Sequence, residues 1–269
     1  MTLPPIQQLE SVDSTNEHAF RELGDRRAEH LSAWIAKEQT AGRGRRGAAW
    51  HGTKGDSLMM SLTLVGRDSW SLPGPAVLSM TVGVALVFAL ERLGLAASRL
   101  ALDWPNDLVA STPGLCSQGA WSSEDTTELP KLAGILIEAR NFDPDAPQFV
   151  AGIGVNLKGK LPAELAAERP VATLQDLGLD TTPIELATAL QTELQEWLEI
   201  GATAPDQLCQ EYTEATGLAG SLVEVELAGG TATGRLILIE PDGIAILNED
   251  SELLRFNLEH VLALRAHTH

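Results

Sequence analysis

The chain has 269 residues, with 19 basic against 37 acidic side chains and a formal charge of −18. Its 44% hydrophobic and 21% charged residues suit a soluble globular protein of one or two domains and exclude a collagen-like, mucin-like or wholly disordered chain. The acidic balance argues against wrapping nucleic acid, because phosphate binding is driven by Lys and Arg displacing counterions.

Two cysteines, Cys116 and Cys209, are too few for a disulfide framework or a structural zinc site; they read as reduced thiols of a cytoplasmic protein. Met1 to Glu10 has no basic start followed by an apolar run, so no signal peptide is expected there.

Val12 to Asn16 reads as a turn and helix start, with small polar side chains ahead of Glu17, His18, Ala19 and Phe20. Ala33 to Lys37 is a short apolar run compatible with a strand. It leads into a glycine-rich loop from Gly42 to Gly55, after which Ser57 to Val65 reads as a second strand. Ala76 to Leu93 is a long helix. Its apolar part, Ala76 to Leu90, is shorter than the ~20 residues that cross a bilayer and is diluted by Ser79, Thr81 and Gly83, so a buried core helix is expected and no membrane. Leu100 to Val109 looks like strand, turn, strand, turning at Pro105, Asn106 and Asp107.

Residues 111–130, rich in Ser, Thr and Gly with three acids and no basic residue, read as a mobile surface loop. Order resumes at Lys131, with strands over Ile135 to Ala139 and Phe149 to Asn156. Helices are expected over Pro183 to Ile200 and Pro205 to Thr216. Alternation then sets in over Ser221 to Leu227, Thr233 to Ile239, Ile244 to Asn248 and Leu253 to Leu258, with turns at Gly229-Gly230 and Pro241 to Gly243. The expected architecture is α+β: a larger domain over 1–217, interrupted by the 111–130 insertion, and a small β-barrel over 218–269.

Four segments carry chemistry. The first is Gly42-Arg43-Gly44-Arg45-Arg46-Gly47, where three of the chain's 14 arginines fall within four positions. Glycine lets backbone N–H groups approach an anion and arginine supplies planar donor forks, so the loop is expected to order around a phosphate or carboxylate. The second is Trp104-Pro105-Asn106-Asp107, a turn presenting short polar heads at a strand end. The third is Lys131, one of five lysines, opening the apolar strand Leu132 to Ile137; a lysine at a core edge is costly unless it meets an anion. The fourth is Gly152-Ile153-Gly154-Val155-Asn156, small residues that leave room for a planar ligand, without the third glycine of a dinucleotide fingerprint. Singly, these also read as a solvated loop, a structural turn, a snorkelling lysine and a buried strand. No HExxH, GxSxG or Walker A pattern occurs, and His51 reads as a loop residue rather than a base.

In this order, Ser14-Thr15-Asn16, Gln39 with GRGRRG at 42–47 and Trp50, WPND at 104–107, KLAGILIE at 131–138 and GIGVN at 152–156 resemble a biotin protein ligase (biotin–[acetyl-CoA-carboxylase] ligase). The resemblance implies a mixed-sheet catalytic domain of the class II aminoacyl-tRNA synthetase/biotin ligase type with a C-terminal SH3-like barrel. It implies a reaction in which ATP, arriving with Mg²⁺, activates biotin as biotinyl-5'-AMP. The biotinyl group then passes to a lysine of the biotin carboxyl carrier domain of an acyl-CoA or pyruvate carboxylase. On the same footing, Ser14, Thr15, Asn16, Gln39, Gly42, Trp50, Lys131, Gly134 and Gly154 contact biotin or its adenylate. Arg43, Gly44 and Arg45 close over biotin and phosphate, and Arg43, Asn106, Asp107 and Asn156 lie near the nucleotide. Lys131, Arg45 and Asp107 are the expected catalytic residues; metal ligands are left unassigned.

Four departures stand out: Asp103 where the family usually has lysine, Ala48-Ala49 after the arginine loop, Trp50-His51-Gly52-Thr53 where the family usually has tryptophan-x-serine-proline, and the long segment before Lys131. Many members begin with a DNA-binding domain. Here Ser14 lies close to the start, so a monofunctional ligase without DNA binding is expected. The alternatives are a lipoate-type acyl ligase and a non-catalytic biotin or nucleotide sensor.

Overall fold

The computed structural model describes residues 2–47, 49–50, 52–66, 74–111, 129–140, 147–159 and 169–267. Its centre is a mixed sheet of seven strands: β1 (Ile6–Leu9), β2 (Ala33–Ala36), β3 (Ser57–Val65), β4 (Leu100–Asp103), β5 (Asp107–Ala110), β6 (Lys131–Ala139) and β7 (Gln148–Asn156). The spatial order is β1-β2-β3-β7-β6-β5-β4. Only β1 and β2 pair in parallel; every other neighbour is antiparallel. β3 sits inside the sheet and is buried over eight of its nine residues; Leu58, Met60, Leu62 and Leu64 give it one wholly apolar face, and Ser57, Ser61 and Thr63 lie on the other.

Four helices occur among the described residues: α1 (Thr15–Gly24), α2 (Pro75–Arg92), α3 (Pro183–Thr203) and α4 (Pro205–Ala215). α2 is apolar nearly all round because it is enclosed by α3, α4 and the sheet. It is long and apolar enough to cross a membrane by length and composition, yet most of that stretch is buried inside the protein. Gly83 allows the close approach to β4, since a Cβ there would stand 3.2 Å from a Leu102 methyl. Phe88 meets Trp197 of α3 at 4.9 Å between ring centroids, and Arg92 Nε donates to the buried Glu193 at 2.6 Å.

The C-terminal strands β8 (Leu222–Leu227), β9 (Gly230–Ile239), β10 (Gly243–Leu247), β11 (Leu253–Asn257) and β12 (Val261–Ala266) form a second, antiparallel sheet in the order β11-β10-β9-β8-β12. Its inner face joins the same hydrophobic core as the large sheet through Leu236, Ile239, Ile244 and Ile246. The hydroxyl of Thr213 on α4 accepts the Ile239 N–H at 2.9 Å.

The mixed α+β architecture agrees with the sequence expectation. β1 and β12 were not expected. β1 is four residues with two glutamines and is held by pairing to β2; β12 is a short apolar run whose pattern does not separate strand from helix. Of the 111–130 insertion, residues 112–128 and with them Cys116 lie outside the described residues, as do Ala48 and His51. The ends of the insertion are together, with the Ala110 N–H donating to the Pro130 carbonyl at 2.8 Å.

α3 begins in a reciprocal cap: the Thr182 hydroxyl accepts the Glu185 N–H at 3.3 Å, and Glu185 accepts the Thr182 N–H at 2.8 Å. Thr182→Ala is expected to cost about 1 kcal/mol. Urea unfolding would measure this, with Thr182→Ser keeping most of the wild-type stability.

Candidate active site

The middle of the large sheet is floored by glycine. Gly134 on β6 stands opposite Gly154 on β7, and Leu136 opposite Gly152. Side chains from elsewhere fill the space that a Cβ would take. A Cβ on Gly152 would fall 2.5 Å from Asn16 Oδ1, and one on Gly154 would fall 2.2 Å from the Trp50 indole. Above this floor lies a cavity of about 780 Å³. Its walls are Ser14 to Asn16 at the start of α1, Gln39, Arg43 to Arg45, Ala49 and Trp50, the first turn of α2, the 104–107 turn, Lys131, and Leu258, Val261 and Leu262 from the C-terminal region.

Ser14, Thr15 and Asn16 are buried where α1 begins. Asp13 accepts the Ser14 N–H at 2.8 Å; hydrogen bonding from Arg21, reinforced by that N–H, holds its carboxyl far below the usual range. Gln39 accepts both the Thr15 N–H (2.7 Å) and the Thr15 hydroxyl (3.1 Å). Asn16 donates to Glu138 at 2.7 Å, and the buried Ser61 hydroxyl lies 2.7 Å from Thr15 Oγ1. These groups form a fixed polar wall around the glycine floor.

The arginine loop is a tongue folded on itself. The Trp50 N–H donates to the Gly42 carbonyl at 3.0 Å, Arg43 bridges to Ala49, and a 3-10 turn at Arg45–Gly47 ends with Gly47 at φ +81°. Its arginines reach opposite walls. Arg43 pairs with Glu17 and lies 3.5 Å from Glu138; Arg45 donates to Asn106 Oδ1 at 2.8 Å. Hydrogen bonding from Arg140 and the charges of Arg43 and Arg140 hold Glu17 below the usual carboxylate range.

On the far side, Lys131 Nζ donates to Asp107 Oδ1 at 2.7 Å, and Arg169 Nη1 donates to Asp107 Oδ2 at 2.7 Å. Asn106 turns its amide into the site, donating to the Ile135 carbonyl at 3.0 Å. Burial raises the Asp103 carboxyl, and the Arg169 charge opposes that rise.

The structure therefore gathers Ser14, Thr15, Asn16, Gln39, Arg43, Gly44, Arg45, Trp50, Asn106, Asp107, Lys131, Gly134 and Gly154 around one cavity. Gly42 and Asn156 stand off its wall. Gly42 closes the base of the tongue; Asn156 donates to the carbonyls of Ala172 (3.2 Å) and Lys131 (3.4 Å) and so reaches the site through Lys131. Sequence reading missed Ser61, Glu17, Arg140 and Arg169. Ser61 had one signal, a hydroxyl in the middle of a mostly apolar strand. Arg169 had none.

The walls carry Arg43, Arg45 and Lys131 around an apolar floor, an arrangement that accepts an anionic group beside an uncharged ring. Gly154→Ala would force the Trp50 indole off the floor, costing about 1–3 kcal/mol as overpacking. Most of that cost should vanish in the Gly154→Ala, Trp50→Ala double variant; additive losses in urea unfolding would refute the contact.

A profile for the Biotin/lipoate A/B protein ligase family matches residues 9–156. Among curated proteins, the chain is 33% identical over 199 residues to the Bifunctional ligase/repressor BirA of Escherichia coli (strain K12), covering 72% of this chain and 54% of that protein. It is 35% identical over 196 residues to the Biotin--[acetyl-CoA-carboxylase] ligase of Paracoccus denitrificans, covering 70% and 71%. The chain thus spans about half the length of the Escherichia coli and Salmonella typhimurium BirA proteins it matches. Among solved structures, the biotin protein ligase from Aquifex aeolicus in complex with biotin and ATP superposes with a TM-score of 0.73 at 23% identity, over 98% of this chain and 100% of that one. With the profile spanning more than half of its residues, the chain belongs to the Biotin/lipoate A/B protein ligase family.

Proposed function

We propose that the protein is an ATP-dependent biotin protein ligase. It joins biotin to AMP and passes the biotinyl group to a lysine of a biotin carboxyl carrier domain. The observation that carries this reading is the meeting of Lys131 with an arginine tongue over a glycine floor. The relatives named as biotin ligases support it.

The chemistry follows from charge. In the first step a biotin carboxylate oxygen bonds to the α-phosphorus of ATP, the bond to the β-phosphate bridging oxygen breaks, and pyrophosphate leaves with that electron pair. Both reactants are anions. Lys131 at one end of the cavity, and Arg43 and Arg45 on the tongue, offset the repulsion and the charge that builds in the transition state. Ser14, Thr15, Asn16 and Gln39 supply hydrogen bonds to the polar ring of biotin. Trp50 and the glycine floor hold its apolar body. Mg²⁺ travels with ATP as part of the substrate, held by phosphates and water.

In the second step the acceptor lysine nitrogen attacks the acyl carbon of the mixed anhydride. The bond to the phosphate oxygen breaks, AMP leaves, and the nitrogen loses a proton. A free lysine is about one part in 2,500 unprotonated at pH 7, so a group that orients the ammonium and takes its proton is required; Asp107 is that group, through the Oδ1 that Lys131 vacates when it turns to the biotin carboxylate. The tongue, tied to both walls, keeps water from the anhydride. The catalytic unit comprises residues 1–217 and the barrel 218–269, and the acidic chain works on a protein partner rather than on DNA.

Biotin-dependent ATP–pyrophosphate exchange tests the reading directly; exchange with lipoate instead would favour the lipoate-type alternative, and binding without exchange a sensor. Lys131→Ala is expected to lower exchange by about 10²–10³-fold while leaving ATP binding within a few fold, as read by calorimetry. Arg45→Gly removes the tie to Asn106 and is expected to release biotinyl-AMP, so that lysines of a bystander protein become labelled. Labelling confined to the acceptor would refute a retaining role for Arg45.

A further inference from the structure

Asp107 is held on both oxygens. Oδ1 accepts Lys131 Nζ at 2.7 Å and Oδ2 accepts Arg169 Nη1 at 2.7 Å. Arg169 Nη2 also donates to Asp103 Oδ2 at 3.4 Å. The two acids face each other in register across the β4–β5 pair. Four charged groups therefore share a half-buried corner, with side-chain exposures of 13% for Asp107, 23% for Lys131, 25% for Arg169 and 42% for Asp103.

The backbone fixes this corner. Lys131 donates its N–H to the Pro170 carbonyl at 2.9 Å, and its own carbonyl accepts the Ala172 N–H at 2.9 Å. Residues 170–172 thus run beside Lys131 as a short parallel bridge, and Asn156 bolts the two segments by donating to both the Lys131 and Ala172 carbonyls. Arg169 is carried to the acids by that bridge.

With the carboxylates of Asp103 and Asp107 side by side, Lys131 alone would be drawn firmly to them. An ammonium held that way is a poor partner for a third carboxylate, because a buried charge gives up one hydrogen-bonded ion only for an equally good one. A second cation on the opposite oxygen changes the balance. It satisfies the acids and lets the ammonium turn to the cavity.

We propose that Arg169 is a positioning residue for the reaction: by neutralising the Asp103–Asp107 pair from the side away from Lys131, it keeps the Lys131 ammonium available to the carboxylate of the incoming acid. This rests on the ligase reading. It gives Asp103, where the family resemblance leads to lysine, a consistent place, since the cation is supplied from residue 169 and the acid orients it.

The test uses the full chain and biotin-dependent ATP–pyrophosphate exchange, with biotin binding by calorimetry. Arg169→Ala is expected to raise the biotin KM and Kd by roughly tenfold while leaving the KM for ATP within twofold. Arg169→Lys should stay near wild type. Adding Asp103→Asn to Arg169→Ala should recover most of the biotin affinity, because it removes one of the acids competing for Lys131. A merely structural arginine predicts the reverse: losses shared by ATP and biotin, a lowered unfolding midpoint and a further loss on adding Asp103→Asn. That pattern, or an unchanged biotin KM in Arg169→Ala, would overturn the proposal. A wild-type chain without biotin-dependent exchange would overturn the ligase reading itself.

Discussion

The site depends on keeping a few cations available inside a protein whose net charge is −18. In such a chain every arginine and lysine has acids within reach, and the usual fate of a cation is a surface ion pair worth little. The fold resists that by placement. Arg43 is offered Glu17 and Glu138 at one wall, Arg45 the neutral amide of Asn106 at the other, and Lys131 an acid whose second oxygen is already taken by Arg169. Each cation is restrained without being buried with a single dedicated partner. An anionic substrate then competes against partial pairs rather than complete ones.

Glycine makes that placement possible. β6 and β7 are central strands, where a side chain at every position would fill the space above the sheet. At Gly134, Gly152 and Gly154 the backbone is bare, and the room goes to Asn16, Trp50 and the cavity. The same strands are strongly apolar at Leu132, Ile135 and Ile153, so the sheet stays anchored in the core while its other positions are left open.

Much of this was legible in the sequence because it is local. Ser57 to Val65, the turn at Pro105 to Asp107, and the long helix after Pro75 each announce themselves by composition or period within a few residues, and the structure keeps their bounds nearly unchanged. The arginine tongue was equally visible, as a charge and glycine cluster with strand-like runs on either side. What stayed hidden is what sequence distance conceals. Glu17, Ser61, Arg140 and Arg169 meet the site across separations of up to 123 positions, and little in their own neighbours marks them. Asn156 shows the opposite failure: it ends a conspicuous motif, but its amide is spent on two backbone carbonyls, and only the fold reveals that it serves Lys131 from behind.

The small C-terminal sheet reads in sequence as an appendage, and the packing argues otherwise. Its inner residues belong to the same core as the large sheet, and Leu258, Val261 and Leu262 reach the cavity itself. Leu262 is 56% exposed at the rim of the cavity. β12, which carries Val261 and Leu262, is held at the sheet edge only by β8. The wall it contributes is therefore apolar and joined through one strand pair, whereas the polar wall opposite is fixed by hydrogen bonds from α1, β3 and β6. A cavity built this way has one polar side carrying hydrogen-bonding groups and one apolar side. Ser14, Thr15, Asn16 and Gln39 supply the hydrogen-bonding wall, and Leu258, Val261 and Leu262 of the C-terminal region supply the apolar one.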